Sequence, residues 1–382
     1  MRRTHRRRRA AALAAIAVVV CVAAGAWTSL GGGNQRRVPV DEALQQTTKT
    51  QTPVKPVVAS NHVAMPKIVR GVHISLGIAA SKTRMNEFIN LTSKGLNTLE
   101  IDVKDENGEV GYTVGAPALA RKIHATRDYY NAKKLVADAH AAGIYVVGRI
   151  VCFEDPILSN AMPSHAIRTT AGGVWKNASG LGWTNEYDPF VWNYLINLSK
   201  SAASMGFDEI QYDYVRFPTD GNTADAVWPH KVKESYANTI YRFLKTARAA
   251  IKPLGVNISA NVFGLAAHED LNIGQNPTKI MPLLDAISPM AYPSHYGPGE
   301  YNLTDPDNAP GATVTFTMGD FRAATPAGST TEIRPWLQDF SLGRTYTQAD
   351  VIAQINAAER GGAKGWLLWN ADVVYHDGAL AS

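Results

Sequence analysis

The chain has little cysteine and little charge for its length. Of its 382 residues only two are cysteines, Cys21 and Cys152, and 19% are charged. Cys21 lies in an apolar segment near the N-terminus, so Cys152 has no partner for an intrachain disulfide in the rest of the chain. A lone cysteine within an apolar strand pattern is typical of an inert core residue. These observations exclude a disulfide-stabilised scaffold.

An excess of basic residues is absent from most of the chain. The net charge is +5, but six of the first nine residues are arginines, so the remainder is close to neutral. A nucleic-acid-binding surface requires clustered lysine and arginine. We therefore expect no nucleic-acid partner.

Several nucleotide-binding and catalytic motifs are also missing. There is no G-x-G-x-x-G after the first strand candidate, no Walker motif and no G-x-S-x-G elbow. The histidines show neither H-x-x-x-H nor H-x-H spacing, which disfavours a dedicated zinc site. The sequence thus predicts no cofactor.

The N-terminus resembles an export segment. Its arginines run into Ala10–Ala26, an uninterrupted stretch of apolar and small residues, and this combination indicates a signal peptide or a membrane anchor. Ala24–Ala26 fits a small-x-small cleavage site. A spacer rich in Gly, Thr, Gln and Pro follows, which favours the anchor. We predict a signal peptide or anchor over 1–27, a disordered low-complexity linker over 28–66 and a folded domain over 67–382. The domain would be secreted or held outside the cytoplasmic membrane, with membrane contact through the N-terminal segment only.

From residue 69 onward, strand and helix patterns alternate, which is typical of an α/β fold with a parallel sheet. The eight strand candidates are Gly71–Ser75, Asn97–Lys104, Ile144–Phe153, Phe207–Phe217, Val256–Gly264, Ala286–Tyr292, Glu332–Phe340 and Lys364–Asn370. The helical patterns are Lys82–Lys94, Tyr129–Ala142, Pro189–Met205, Ser235–Lys252 and Thr347–Arg360. This series predicts a (β/α)8 TIM barrel, with a doubly wound open sheet as the alternative. Little sequence follows the last strand, so we expect the eighth helix to be short or missing.

The fourth strand candidate carries the most informative residue. Phe207–Pro218 is apolar enough to be buried, yet it contains four charged side chains and ends in a Gly/Asn/Asp loop. A barrel places its catalytic groups at the carboxyl ends of its strands, where Asp213 would lie. Asp213 is therefore the first catalytic candidate.

Alternation along each strand predicts a polar barrel interior. The inward positions with polar or bulky side chains are His73 and Ser75, Glu100, Asp102 and Lys104, Arg149, Glu209, Gln211 and Asp213, Ser259 and Asn261, Met290 and Tyr292, Trp336 and Gln338, and Trp366, Leu368 and Asn370. Structural barrels fill this space with Val, Ile and Leu. So many polar positions indicate a site, although any single one could belong to a structural network.

Paired carboxylates are what glycoside hydrolysis requires, because one protonates the leaving oxygen while the other attacks or activates water. Asp213 is the main candidate, and Asp102 or Glu269 would be its partner. Arg149 would keep one carboxylate ionised. Asp339 has the outward parity, and we expect a structural role for it.

Aromatic residues and a long connection suggest a sugar-binding wall. The segment from Glu154 to Asp188 spans 35 residues without strong periodicity, and a loop of that length is usually functional. The residues expected to bind substrate are His73, Glu100, Arg149, Arg216, Asn261, Tyr292, Trp336, Gln338 and Trp183.

Three separated segments resemble the bacterial putative glycoside hydrolase domain family. They are Phe207–Pro218, Ser288–Tyr296 and Arg334–Phe340, and the Gly71–His73 opening and the Glu100–Lys104 strand are also similar. The resemblance covers residues 69–375 and implies a barrel-type domain that cleaves sugars, with Asp213 as the nucleophile. Met290 and Tyr292 stand where some retaining glycosidases place a proton donor.

Two alternatives remain open at this point. A non-catalytic carbohydrate-binding barrel in envelope assembly would keep the aromatic lining without a carboxylate pair. A metal-dependent polysaccharide hydrolase or deacetylase would need a bound metal, for which His268, Glu269 and Asp270 are the candidates. The sequence leaves open the sugar, the linkage, retention or inversion, endo or exo cleavage, and the oligomeric state.

Overall fold

Eight parallel strands form a closed ring in the computed structural model, which describes residues 62–381. The predicted export segment and nearly all of the predicted linker lie outside these residues. The strands are β1 (Val69–Ile74), β2 (Thr98–Lys104), β3 (Tyr145–Val151), β4 (Glu209–Asp213), β5 (Asn257–Phe263), β6 (Ala286–Met290), β7 (Glu332–Ile333 and Trp336–Gln338) and β8 (Gly365–Trp369). Each strand pairs with its neighbours in chain order, and β8 pairs with β1, so the predicted (β/α)8 TIM barrel is confirmed.

Helices surround the ring. They are α1 (Leu76–Ala79), α2 (Lys82–Asn90), α3 (Ala118–Lys122), α4 (Ala132–Ala141), α5 (Pro156–Ala161), α6 (Pro189–Met205), α7 (Tyr236–Ile251), α8 (Pro277–Ile280), α9 (Pro310–Ala324) and α10 (Gln348–Arg360). All five predicted helices are present. The sequence reading missed α9, a helix with three glycine or proline residues whose apolar pattern is weak. No helix among residues 62–381 is long and apolar enough to cross a membrane.

Strand β7 is interrupted at Arg334 and Pro335. Proline has no N–H for the sheet, which is consistent with a break in the strand here. Below the break, Ile287 and Ile333 pair between β6 and β7. Above it, Trp336 pairs with Met290 on one side and with Leu367 on the other, so the ring still closes.

The end of the barrel opposite the strand carboxyl ends is closed by an ion pair. The carboxylate of Glu209, at the start of β4, binds the guanidinium of Arg334, and both side chains are fully buried. Tyr145 donates its hydroxyl to Glu209 at 2.9 Å. Because the Glu209 carboxylate is satisfied by these partners and lies far below the strand ends, we assign it a structural role.

The described N-terminal residues cover the same end. The backbone N–H of Val63 donates to Asp208 at 2.7 Å, and His140 on α4 contacts the other oxygen of that carboxylate at 2.9 Å. Met65 packs against the apolar cluster formed by Val69, Tyr292, Trp336 and Leu367. Residues 62–68 therefore pack onto the barrel.

The apolar core lies between the strands and the helices. The residues that pack in it show that the predicted phase of β8 was wrong. Trp366 and Leu368 pack with the outward-facing residues of the other strands, whereas Leu367 and Trp369 face the interior with Trp336. Every residue of Trp366–Trp369 is apolar, so alternation gave no signal in this strand.

After β8 the described chain forms only a short 3-10 turn, Asp377–Ala379, in agreement with the expected short or missing eighth helix. His376 is held by Asp339, whose carboxylate contacts its ring Nδ1 at 2.5 Å and accepts its backbone N–H at 2.9 Å. These contacts with His376 agree with the structural role expected for Asp339.

Candidate active site

A cleft opens at the carboxyl ends of the strands. Its space, including the mouth open to solvent, is about 610 Å³. The lining residues are Arg149, Asp213, Tyr214, Arg216, Asn261, Phe263, Gln275, Met290, Tyr292, His295, Trp336, Phe340 and Trp369. This is the end at which barrels of this type place their catalytic groups.

Arg149 joins a carboxylate that lines this cleft to a second carboxylate in the adjoining hollow. Its Nε donates to Asp213 at 2.8 Å, and its Nη1 donates to Asp102 at 2.7 Å. All three side chains are almost completely buried. Unpaired charges would be costly at this depth, and the shared guanidinium compensates both anions.

Asp213 is oriented by the backbone as well. Its second oxygen accepts the N–H of Tyr214 at 2.8 Å, and Tyr214 has a φ of +47°, in the left-handed region that favours glycine. Such a conformation costs about 1–3 kcal/mol and is concentrated at functional sites. The turn after β4 thus directs the Asp213 carboxylate toward Arg149 and the cleft.

Asp102 sits beside an irregularity in the sheet. It pairs with Arg149 across β2 and β3, whereas Lys104 pairs with Ile150, so Val103 is an extra residue in β2. Bulges of this kind re-aim side chains near active sites. Burial raises the pKa of Asp102 to about 7, although His73 and Arg149 oppose that increase. A substantial fraction of Asp102 is therefore protonated at neutral pH.

His73 and Glu100 lie next to Asp102. The Nδ1 of His73 is 2.5 Å from Glu100 Oε2, and its Nε2 is 3.5 Å from Asp102 Oδ2. Burial lowers the pKa of His73 to about 4, and Arg149 acts in the same direction. Burial raises the pKa of Glu100 well above its usual range, against the opposing effect of Arg149.

Two further acids border this cluster. Glu106, in the loop after β2, has a carboxylate oxygen 3.6 Å from Nη1 of Arg149, and its side chain is 22% exposed. Glu154, after β3, accepts a hydrogen bond from Asn177 at 2.7 Å. Burial raises the pKa of Glu154 to about 8, so this group is mainly protonated at pH 7.

Aromatic rings and neutral polar groups form the opposite wall. Trp336 donates its indole N–H to Asn261 at 2.8 Å and meets Trp369 edge-on at 5.7 Å between ring centroids. The guanidinium of Arg149 lies 5.1 Å from the Trp369 ring. Burial lowers the pKa of His295 to about 4, so its imidazole is neutral at pH 7. The wall therefore suits the apolar faces and hydroxyls of a sugar.

The structure brings most of the predicted site residues together. Asp213, Arg149, Arg216, Asn261, Tyr292 and Trp336 line the cleft, and His73 and Asp102 line the adjoining hollow beyond Trp369.

Four predicted residues lie elsewhere. Glu100 is fully buried behind His73, and Gln338 is fully buried with its oxygen accepting two hydrogen bonds from Ser294. Trp183 is buried in the loop, 5.1 Å from the Arg216 guanidinium. Glu269 does not line the cleft, and its neighbour His268 contacts Asp320 on α9 at 2.9 Å. The sequence could not predict these positions, because alternation along a strand gives the direction of a side chain but not how deeply it is buried.

Trp369, Glu106 and His295 were missed by the sequence reasoning. Trp369 was missed because the phase of β8 was predicted incorrectly. His295 lies in the Ser288–Tyr296 segment that carried the family resemblance, which was the available signal. Glu106 had no signal, since a solvated loop acid has the same local pattern.

Among residues 62–381 there is neither a cluster that could bind a metal ion nor an activated thiol. No three His, Cys, Asp or Glu side chains in that range are grouped so that they could hold a metal ion. Cys152 is buried, and burial raises the pKa of its thiol well above the usual range, as for an inert core residue.

An acidic and aromatic cleft at the carboxyl ends of a (β/α)8 barrel defines a glycosidase-type barrel. The chain belongs to the family described as "putative glycosyl hydrolase domain", which matches residues 71–375. The resemblance suggested by the sequence is thereby confirmed, and the chain is a glycosidase by class. No curated protein matches the chain.

Two of the solved structures that resemble this chain share its fold. The glycoside hydrolase domain of PgaB (BpsB) from Bordetella bronchiseptica is 12% identical, with a TM-score of 0.59 over 79% of this chain and 94% of that one. An exo β-N-acetylglucosaminidase from Vibrio harveyi is 12% identical, with a TM-score of 0.52 over 83% of this chain and 54% of that one. A hypothetical protein from Ruminiclostridium thermocellum is 34% identical, with a TM-score of 0.45 over 50% of this chain and 96% of that one.

Proposed function

We propose that this protein hydrolyses O-glycosidic bonds in an extracellular or cell-envelope polysaccharide by paired-carboxylate acid/base chemistry. The observation that carries the proposal is the Arg149 guanidinium, which holds Asp102 and Asp213 on its two donor edges at the cleft. Glycosidases use two carboxyl groups about 5–9.5 Å apart, and the contacts of one guanidinium with both Asp102 and Asp213 bring these two groups into one site.

The two carboxyl groups differ in their surroundings, and the difference supports different roles. Asp213 receives hydrogen bonds from Arg149 and from the N–H of Tyr214, which suits an anion. It would attack the anomeric carbon or take a proton from the attacking water. Asp102, with a pKa of about 7, would give its proton to the leaving oxygen as the glycosidic bond breaks.

The shape of the cleft supports the proposal of a polymeric substrate. On one side it continues into a largely apolar hollow that includes Leu265, Leu271 and Tyr296. On the other side, past Trp369, a second hollow is lined by acidic residues that include Glu106 and Asp372. A sugar chain lying over the carboxylates would find room in both directions.

Location outside the cytoplasmic membrane is part of the proposal. It rests on the N-terminal arginines followed by Ala10–Ala26, the pattern of an export signal or an anchor. Fractionation of cells with an antibody to the folded domain would test it.

The decisive experiment measures reducing ends released from a panel of polysaccharides by the wild type and by Asp213→Asn. The substitution preserves shape but removes the nucleophile or base, so we expect turnover per folded molecule to fall by roughly 10²–10⁴-fold. Asp138→Asn is the matched control, because its carboxylate pairs with Lys134 on the exposed face of α4.

Cleavage by Asp213→Asn at the wild-type rate would refute the role of Asp213. Binding of a polysaccharide by the wild type without any cleavage would instead favour the non-catalytic carbohydrate-binding barrel.

A further inference from the structure

Arg216 is a buried cation that the proposed chemistry does not use. It lines the cleft, yet only 3% of the residue is exposed. Its Nη1 donates to the backbone oxygen of Phe217 at 3.1 Å and to the hydroxyl of Thr219 at 3.3 Å. Its Nε and Nη2 donate to no acceptor among residues 62–381. One edge of the guanidinium is therefore left with hydrogen-bond donors for a ligand.

The described residues also place no carboxylate against this cation. No carboxylate oxygen among residues 62–381 lies within 4.0 Å of the Arg216 nitrogens. Asp213, three residues earlier, pairs with Arg149 instead. Asp220, four residues later, accepts the backbone N–H of Ala178 at 3.1 Å. A buried charge is costly unless it is paired or used, so the lack of an ion pair indicates a use.

Aromatic rings surround the guanidinium. Its central carbon lies 5.1 Å from the ring centroids of Trp183 and Tyr214, and 4.9 Å from that of Phe263. Ring faces stabilise a cation, but they carry no negative charge that could neutralise it. The rings hold Arg216 in place and exclude water, which strengthens its attraction for an anion in the cleft.

The charges of the cleft leave Arg216 unbalanced. Its charged lining residues are Arg149, Arg216 and Asp213, so two cations face one carboxylate. Glu154 and Glu186 are close enough for Arg216 to oppose the increase in their pKa, but burial still raises the pKa of each to about 8. Both acids are therefore mainly protonated at pH 7, and neither supplies a full negative charge.

We propose that Arg216 binds a carboxylate of the substrate, so that the polysaccharide contains an acidic sugar such as a uronic acid. This inference rests on the proposed glycosidase function. Nε and Nη2 lie side by side on one edge of the guanidinium plane, and this fork matches the two oxygens of a carboxylate. A bound carboxylate would accept both free hydrogen bonds and neutralise the cation.

The second hollow, past Trp369, limits where the acidic sugar can lie. Its lining includes Glu106, Glu109 and Asp372, which would repel a carboxylate. The acidic sugar therefore belongs in the cleft beside Arg216, and a neutral or amino sugar belongs in the second hollow. A polymer in which the two kinds of sugar alternate would fit both places.

Binding of small sugars tests the site without turnover. Calorimetry on the full-length protein would compare glucuronate with glucose, which differ in the carboxylate. We expect glucuronate to bind roughly 10- to 100-fold more tightly, the range for a hydrogen bond to a charged group. Arg216→Gln should abolish this preference, and Arg216→Lys, which keeps the charge but not the fork, should retain only part of it. Equal binding of the two sugars, or no binding of either, would overturn the proposal.

Turnover tests whether the site serves the reaction. For a carboxylated polymer that the wild type cleaves, reduction of the carboxylates to hydroxymethyl groups should lower kcat/KM by a similar roughly 10- to 100-fold. Arg216→Gln should cleave the acidic and the reduced polymer with equal kcat/KM. A wild type that cleaves both forms equally well, or cleaves only neutral polymers, would contradict the proposal.

Arg242→Gln is the matched control. Arg242 also lies over an aromatic ring, 5.3 Å from the Trp192 centroid, but it pairs with Glu234 at an exposed position of α7. The variant should keep the preference for glucuronate.

The remaining outcomes separate the alternatives. A purely structural Arg216 would give a lower melting temperature in Arg216→Gln and no preference for glucuronate in the wild type. Tighter binding of glucose 6-sulfate than of glucuronate would overturn the choice of a carboxylate. A preference for glucuronate without cleavage of any glycan would support the acidic-sugar site and count against the proposed function alone.

Discussion

Arg149 is the residue on which the candidate site depends. It binds Asp102 and Asp213, approaches Glu106, and lies over the face of Trp369. These contacts come from three separate segments of the chain. A single cation therefore sets the spacing of the carboxyl groups and limits their mutual repulsion.

A buried residue remote from the cleft provides a test of the barrel interior. Glu209→Gln should destabilise the protein by about 3–5 kcal/mol, because Arg334 would be left as a buried cation without an anion. Urea unfolding measures this change. Glu87→Gln removes a carboxylate from an exposed pair with Arg84, and should change stability by less than about 1 kcal/mol.

Activity per folded molecule should be nearly unchanged in Glu209→Gln, since Glu209 starts β4 and Asp213 ends it. A variant that stays fully stable yet loses turnover would show that Glu209 belongs to the catalytic machinery.

Glu186 predicts how stability depends on pH. It is fully buried, accepts the indole N–H of Trp228 at 2.6 Å, and has a pKa raised by burial from 4.5 to about 8. The native state holds this proton more tightly than the unfolded chain, so stability falls as pH rises from about 4.5 to 8. At higher pH the ionised group costs on the order of 5 kcal/mol.

Glu186→Gln removes the titrating proton and should flatten this loss. Free energies of unfolding at pH 5, 7 and 9 would show the wild type losing more stability than the variant. Parallel pH curves would mean that Glu186 is already ionised in the native state at pH 7.

At the scale of elements, the contact between β8 and β1 depends on one glycine. Gly365 has a φ of +114°, and a Cβ at this position would lie 2.0 Å from the backbone oxygen of Val69. Gly143 also has a positive φ, +76°, but a Cβ there would meet nothing within 4 Å. The two positions therefore separate backbone strain from steric exclusion.

Gly365→Ala should destabilise the barrel by clearly more than Gly143→Ala, for which left-handed strain alone predicts about 1–2 kcal/mol. Thermal unfolding of both variants compares them directly. Equal losses would show that the β8–β1 contact can relax to admit a side chain.

At the scale of the whole molecule, the ring is closed at one end by residues that precede β1. Val63 donates to Asp208, and Met65 packs against residues of β1 and β8. A fragment starting at Val69 should be less stable than one starting at His62 by about 1–3 kcal/mol, since the buried Asp208 carboxylate would lose a donor.

Denaturant unfolding of the two fragments measures the difference. Asp208→Asn in the longer fragment is the control for the hydrogen bond, and it should produce part of the same loss. Identical midpoints for both fragments would show that residues 62–68 do not contribute to the stability of the barrel.

Local pattern was sufficient for the order of elements and for most of the inward face. Strands such as β2 and β4 alternate charged and apolar residues, so period two determined their phase, and Asp102, Arg149 and Asp213 were predicted to point inward. Strand β8 is apolar on both faces, so its phase could not be predicted. Helix α9 is only weakly amphipathic, so its presence could not be predicted.

The sequence by itself determined that this protein is a barrel with acids at its strand ends and a family resemblance to sugar-cleaving domains. Only the tertiary structure decided that Arg149 joins Asp102 and Asp213, that Glu209 forms an ion pair with Arg334, and that Glu269 lies outside the cleft. The physical reason is that side-chain direction follows from neighbours in the chain, whereas charge pairing and burial depend on residues tens to hundreds of positions apart.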